Sequence, residues 1–159
     1  MNTIPKNKAL FSFLMISVLI IIIACASKQE KPYEYPLIET NQEIEIYLPQ
    51  YVPQNYAFEE IEISPPFVTV TYSSKEGRIY YTQMNAASFS MSLDTENNTV
   101  TAYHSDHFTG YLLTDSSVPS SYLLSVYNDT NAFELVGNIK KEELFQMLES
   151  IAPYTKRSH

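Results

Sequence analysis

The chain has 159 residues, 45% of them hydrophobic, 13% aromatic and 18% charged, which suits one globular domain with a leader. Ten basic residues stand against eighteen acidic ones, a net charge of −8, so the basic footprint that nucleic-acid binding needs is missing. A single cysteine leaves no internal disulfide or Cys-pair metal site, and three glycines leave no glycine-rich phosphate loop.

The N-terminus carries the strongest signal. Lys6 and Lys8 precede Ala9 to Ile23, an uncharged run rich in Ile, Leu and Phe. It ends in Ile22-Ile23-Ala24-Cys25. A charged start, a short apolar core and a small residue before a cut site make a secretory signal. The segment resembles the lipobox of bacterial lipoproteins: an aliphatic residue, then two positions later a small residue, then Cys. The resemblance implies that residues 1–24 are a signal peptide cut before Cys25. It also implies that Cys25 is the lipidation site, carrying a diacylglyceryl anchor with palmitate-like chains. A second reading stays open. Ala9 to Ala26 is about the shortest apolar run that spans a bilayer, which makes Cys25 the end of an uncleaved membrane helix. Under both readings Lys6 and Lys8 hold the start in the cytoplasm. The rest is then expected at the extracytoplasmic face of the cell membrane. Cutting off residues 1–24 removes two lysines and no acid, which shifts the net charge from −8 to −10.

Residues 25–42 hold Pro32, Pro36 and mixed charges, and are expected to be an extended tether. A single α+β domain is expected over 43–153, with a disordered tail at 154–159. Glu43 to Tyr47 alternates as an edge strand or short turn, before Pro49 and Pro53 interrupt. Strand signals follow at Tyr56–Ile63, Phe67–Tyr72 and Arg78–Met84, the last two joined by a polar turn that ends in Gly77. Asn85 to Asn98 is weakly patterned and reads mostly as loop. Two further hairpins pair Thr99–His104 with His107–Thr114 and Ser121–Tyr127 with Ala132–Val136. Leu144, Phe145, Leu148 and Ile151 then change the period to that of a helix, with Asn138 as its expected cap and Pro153 as its stop. The expected fold is a curved, mainly antiparallel sheet of about six to seven strands with a C-terminal helix packed on it.

Tyr47, Pro49 and Pro53, the hairpins, and the close from Phe133-Glu134-Leu135 through Gly137-Asn138-Ile139 to Lys141-Glu142-Glu143-Leu144 and Leu148-Glu149-Ser150-Ile151 resemble a known family. It comprises uncharacterised bacterial extracytoplasmic domains, a domain of unknown function found on lipoproteins and on membrane proteins linked to anti-sigma factors. The resemblance covers about residues 44–152. The family usually places Ser or Thr before Lys-Glu-Glu, where this chain has Lys140. It has no established catalytic residues, so the resemblance transfers none.

The residues themselves point away from catalysis. His104 and His107 have i, i+3 spacing, which on a strand places them on opposite faces, with Asp106 between them. Asp94 to Asn98 is rich in oxygen ligands but lacks the Gly and Glu that an EF-hand loop needs. A triad of His104 or His107 with Asp106 or Asp115 and a serine has no Gly-x-Ser-x-Gly elbow beside it. No metal and no cofactor is expected. Tyrosines in strands combine apolar area with a hydroxyl and suit interfaces. Tyr80, Tyr111 and Tyr122 are the candidate interaction face. The expected function is a non-enzymatic, lipid-anchored binding or sensing module. Its expected partners are the membrane, through the anchor, and an envelope protein. A carrier of a small hydrophobic ligand and a hydrolase are the alternatives.

Overall fold

A computed structural model describes residues 31–39, 44–91, 95–115, 117–118 and 121–155. The expected signal peptide, Cys25, Asp94 and residues 156–159 lie outside the described residues. The chain divides into two units after Lys31, and the fold belongs to the second, from Pro32 onward.

The sheet is built from two meanders. The first comprises β2 (Ala57–Ser64), β3 (Phe67–Ser73) and β4 (Arg78–Asn85). The second comprises β5 (Asn98–His104), β6 (Thr109–Asp115), β7 (Tyr122–Tyr127) and β8 (Asn131–Gly137). They join where β4 pairs β8, giving one open antiparallel sheet in the order β2-β3-β4-β8-β7-β6-β5. The expected α+β class and strand number hold. A second, two-stranded sheet pairs β1 (Tyr47–Pro49) with β9 (Ile151–Pro153), on either side of helix α1 (Lys141–Glu149) in sequence. Pro153 therefore closes an edge strand that the helical period conceals, and the helix has already ended at Glu149.

Alternation decides which face is covered. Val68, Val70 and Tyr72 of β3, Ile79 and Tyr81 of β4, Phe133 and Leu135 of β8, and Leu124 and Val126 of β7 share one face and are fully or almost fully buried. Helix α1 lies on this face and brings Leu144, Met147 and Leu148 to 0% exposure, with Phe145 against Tyr103 of β5 at 5.0 Å. Asn138 is not the cap. Lys140 holds the N-cap position without a side-chain hydrogen bond, and Glu142 and Glu143 complement the positive end of the helix.

The rest of that face is covered from the N-terminal side, and here the expected tether differs. Tyr33, Tyr35 and Ile38 dock on the domain. Tyr33 N–H donates to the Gln50 carbonyl at 2.7 Å, and the Tyr33 hydroxyl accepts from Phe58 N–H at 2.7 Å. The Tyr35 hydroxyl donates to the Pro49 carbonyl at 2.6 Å, so in its 2.7 Å contact with Tyr72 the buried Tyr72 hydroxyl is the donor. Burial raises the pKa of both hydroxyls far above the ordinary phenol range. Tyr154, expected in the disordered tail, pairs through its N–H with the Ile46 carbonyl, and its hydroxyl accepts from Ile38 N–H at 3.2 Å.

Strand β1 is held over the sheet by polar side chains from β4. Tyr47 N–H donates to Gln83 Oε1 at 2.8 Å, and Gln83 Nε2 donates to the Glu45 carbonyl at 2.8 Å. The Tyr81 hydroxyl donates to the Tyr47 carbonyl at 2.8 Å. Gln83 is 5% exposed and Tyr81 0%, so water cannot take over these bonds. Close approach elsewhere demands glycine: a Cβ on Gly110 of β6 would lie 2.1 Å from the Ser125 carbonyl oxygen of β7.

Replacing Gln83 by Leu removes the partners of the part-buried Tyr47 N–H and Glu45 C=O. Urea unfolding of the Gln83→Leu chain is expected to show a loss of about 2–4 kcal/mol. Thr82→Ala, one residue away on the other face, is expected to stay within about 0.5 kcal/mol. Equal losses for the two would remove the bridging role from Gln83.

Candidate functional site

The uncovered face of the sheet carries side chains of the opposite parity. One row across it runs Thr71, Tyr80, Val136, Leu123, Leu113 and Val100, each residue paired with the next across neighbouring strands. The next row runs Thr69, Thr82, Glu134, Ser125, Tyr111 and Ala102. The first row is mainly apolar and the second mainly polar. In the second, Ser125 Oγ donates to Glu134 Oε1 at 3.0 Å, and Thr69 and Thr82 hydroxyls meet at 3.4 Å.

Exposed apolar surface concentrates on this face. Tyr80 and Tyr127 are each 42% exposed, Tyr111 37% and Val136 36%, whereas Tyr72, Ile79, Tyr81, Leu124, Phe133 and Leu135 at the centre of the other side are 0–1% exposed. Tyr80 on β4 and Tyr111 on β6 are three strand spacings apart, about 14 Å across the sheet. A short 3₁₀ turn over Ala86–Ser88 leads to Phe89, whose ring lies 5.8 Å from that of Tyr127 and covers part of it. Arg78, ion-paired with Glu59 at 2.7 Å, lies beside Tyr80 at the rim.

Of the three tyrosines selected from the sequence, the structure brings Tyr80 and Tyr111 to one face and leaves Tyr122 on the other. Tyr122 pairs with Gly137 and Thr114, has the parity of Leu124, and packs half-buried against the core. Tyr127 and Val136 take its place on the open face. The signal was available: Tyr122 and Tyr127 are an odd number of residues apart on one strand, so they must point oppositely.

A second concave region lies at the end of the covered face. Tyr47, His107, Phe108, Asn128, Phe133, Glu149 and Ile151 line a cleft of about 270 Å³. Phe133 forms the floor at 1% exposure. The Tyr47 ring is 6.3 Å from it, inclined at 65°, and the Phe108 ring 5.6 Å from it at 85°. Glu149 accepts a short hydrogen bond from the Tyr103 hydroxyl, whose pKa is pushed up to about 12 by burial first and by the carboxylate second.

The histidines do not converge. His104 has the parity of Ala102 on the open face, and its Nδ1 meets Thr109 Oγ1 at 3.0 Å, whereas His107 lines the cleft on the covered side. Asp106 is exposed in the turn between them. Asp115 binds locally, accepting from Ser117 N–H and Oγ at 2.7 and 2.6 Å, which lowers its pKa. Among the described residues no three His, Cys, Asp or Glu side chains come together to hold a metal ion. No helix among the described residues is long and apolar enough to cross a membrane.

The two sides predict different responses to truncation. Tyr80→Ala and Tyr111→Ala are each expected to change stability by no more than about 0.5 kcal/mol. Tyr122→Ala removes half-buried packing and is expected to cost about 1–2 kcal/mol. Thermal unfolding of the three single variants checks the assignment, and a Tyr80 loss equal to that of Tyr122 would contradict it.

No curated protein and no solved structure matches the chain. Residues 46–151 match the family described as a domain of unknown function, DUF4367. The matched span runs from the residue before β1 to the first residue of β9, taking in the whole seven-stranded sheet, α1 and all residues of the cleft. Tyr33, Tyr35 and Tyr154, which help cover the sheet, fall outside it. With well over half of its length matched, the chain belongs to the DUF4367 family.

Proposed function

We propose that this chain is a lipid-anchored, extracytoplasmic binding or sensing module without catalytic activity. It presents the open face of its sheet to a protein of the cell envelope. The observation that carries this reading is the grouping of Tyr80, Tyr111, Tyr127 and Val136, all at least 36% exposed, on one face of a sheet whose other face is packed. Tyrosines spread over about 14 Å match the scale of a protein surface better than that of a small molecule. Tyr is enriched at protein interfaces, and exposed large side chains grouped on one face fit such a site. The carrier alternative calls for a chamber between helix and sheet. Leu144, Met147 and Leu148 instead fill that interface at 0% exposure.

The anchor rests on the Ile22-Ile23-Ala24-Cys25 pattern and the charged, apolar leader before it. Lipid on Cys25 would leave at most roughly 25 Å of extended chain before Pro32, where the folded unit begins. The module would then work close to the membrane surface, and its partner would be a membrane or membrane-proximal protein. The resemblance to domains on anti-sigma-linked membrane proteins fits that placement. Metabolic labelling with a palmitate analogue is expected to mark the wild-type chain. Cys25→Ala is expected to abolish the label and accumulate precursor; normal labelling of this variant would refute the anchor.

In-cell crosslinking at native expression level tests the face. A stoichiometric envelope protein is expected to be captured by the wild-type chain and lost in the Tyr80→Ala/Tyr111→Ala double variant. Capture unaffected by the double variant would remove the open face from recognition. Absence of any stoichiometric partner would favour a small-ligand or catalytic role.

A further inference from the structure

We propose that the end cleft is a second binding site, separate from the open face, that takes a small organic cation: an ammonium or guanidinium head on a short apolar stem. Three observations converge on this chemistry. The first is the lining. Phe133, Phe108 and Tyr47 set three aromatic rings at steep angles around one corner, with centroids 5.6 and 6.3 Å from Phe133. Aromatic rings attract a desolvated cation through their quadrupoles and also accept its apolar stem.

The second is the carboxylate. Glu149 lines the same cleft and is the last residue of α1. A helix C-terminus already carries partial negative charge and favours basic side chains. Here the last turn has no basic residue and ends instead on an acid. That placement is unfavourable for the isolated fold, and local conflicts of this kind concentrate at functional sites. The bond from the Tyr103 hydroxyl fixes the carboxylate and uses one of its acceptor positions, out of about four on an ionised carboxylate. A bound cation would neutralise both the carboxylate and the helix end.

The third is size and composition. About 270 Å³ is below the usual range for drug-sized ligands, roughly 300–1,000 Å³, and suits a head group with a few carbons. Asn128 Oδ1 is taken up by Thr130 and Asn131 in its own turn, which leaves Glu149 as the acceptor for a cation, and Ile151 adds apolar wall. The chain as a whole carries a net charge of −8, which draws cations toward it. The cation has two sources with the same chemistry: a free alkylamine or alkylguanidine, or the basic side chain of a protein segment.

Titration of the full chain in detergent micelles, followed through the Ile151 methyl resonance, tests the site. Saturable shifts are expected with n-propylguanidinium and none with its neutral isostere N-propylurea. Glu149→Gln is expected to weaken binding about tenfold or more, while leaving thermal stability of the unliganded chain equal or higher. A blocked Gly-Arg-Gly peptide run in parallel separates the sources. Tighter binding of the peptide identifies a protein side chain, and tighter binding of the free guanidinium identifies a small metabolite. Equal binding of cation and urea, unchanged affinity in Glu149→Gln, or no saturable shift with either cation would each overturn the proposal.

Discussion

A single amide in an apolar surface organises much of this domain. Gln83 stands on the covered face of the sheet, between Val68 of β3 and Phe133 of β8. An unpaired amide there costs far more than an apolar side chain would, so its two bonds to the 45–47 backbone are obligatory once the sheet forms. With Tyr81 bonding the Tyr47 carbonyl, β4 presents three fixed points that Glu45 and the first residue of β1 must meet. Apolar packing alone would let a short segment slide, whereas directional hydrogen bonds set its register. Once β1 is fixed, its pairing with β9 fixes the chain just after α1. The helix C-terminus, Glu149 and Ile151 then fall where the cleft is. The cleft thus depends on a polar contact made by neither its own carboxylate nor its own rings.

Much of the sheet was legible because β-strand alternation is a local signal. Val68-Thr69-Val70-Thr71-Tyr72 and Ile79-Tyr80-Tyr81 state which side is buried without reference to any partner. Helix α1 was legible for the same reason at its own period. The two short elements at its flanks were not. β1 and β9 have three residues each, contain or adjoin proline, and exist only because they meet each other and the β4 side chains. Tyr33 and Tyr35 were hidden in another way. They sit among prolines and charges that read as tether, and their docking depends on hydroxyl partners far along the chain: the Phe58 amide, the Pro49 carbonyl and Tyr72. No periodicity announces a contact of that kind. Of the candidate face, Tyr80 and Tyr111 were recoverable from parity, and so was the exclusion of Tyr122. The aromatic cleft was not recoverable, because its lining comes from six separate elements and turns.

The covering segment also manages one edge of the sheet. β2 is an edge strand, and an exposed edge amide invites pairing with another chain. Here Phe58 N–H is already bonded to the Tyr33 hydroxyl, the register shifts between Phe58 and Glu60, and Glu59, Glu60 and Glu62 add charge. Bulge, charge and an occupied donor together discourage edge pairing at β2. The residues that close the core from the N-terminal side therefore also limit self-association at that edge.

The open face and the cleft share strand β8, and alternation keeps them apart on it. Phe133 is the floor of the cleft, while Glu134 next to it bonds Ser125 on the open side. Leu135 is 0% exposed beneath the covering layer, whereas Val136 is 36% exposed beside Tyr80. Successive residues of one strand thus belong to two surfaces with different chemistry: a broad, tyrosine-bearing patch and a narrow aromatic corner with an acid. Side chains of opposite parity do not touch across a sheet. A substitution at Val136 therefore changes the patch without reaching the rings of the cleft, and one at Glu149 changes the cleft without altering the patch. The backbone of β8 is the element common to both, held by β4 on one side and β7 on the other at the middle of the sheet, which makes it a rigid base for each surface.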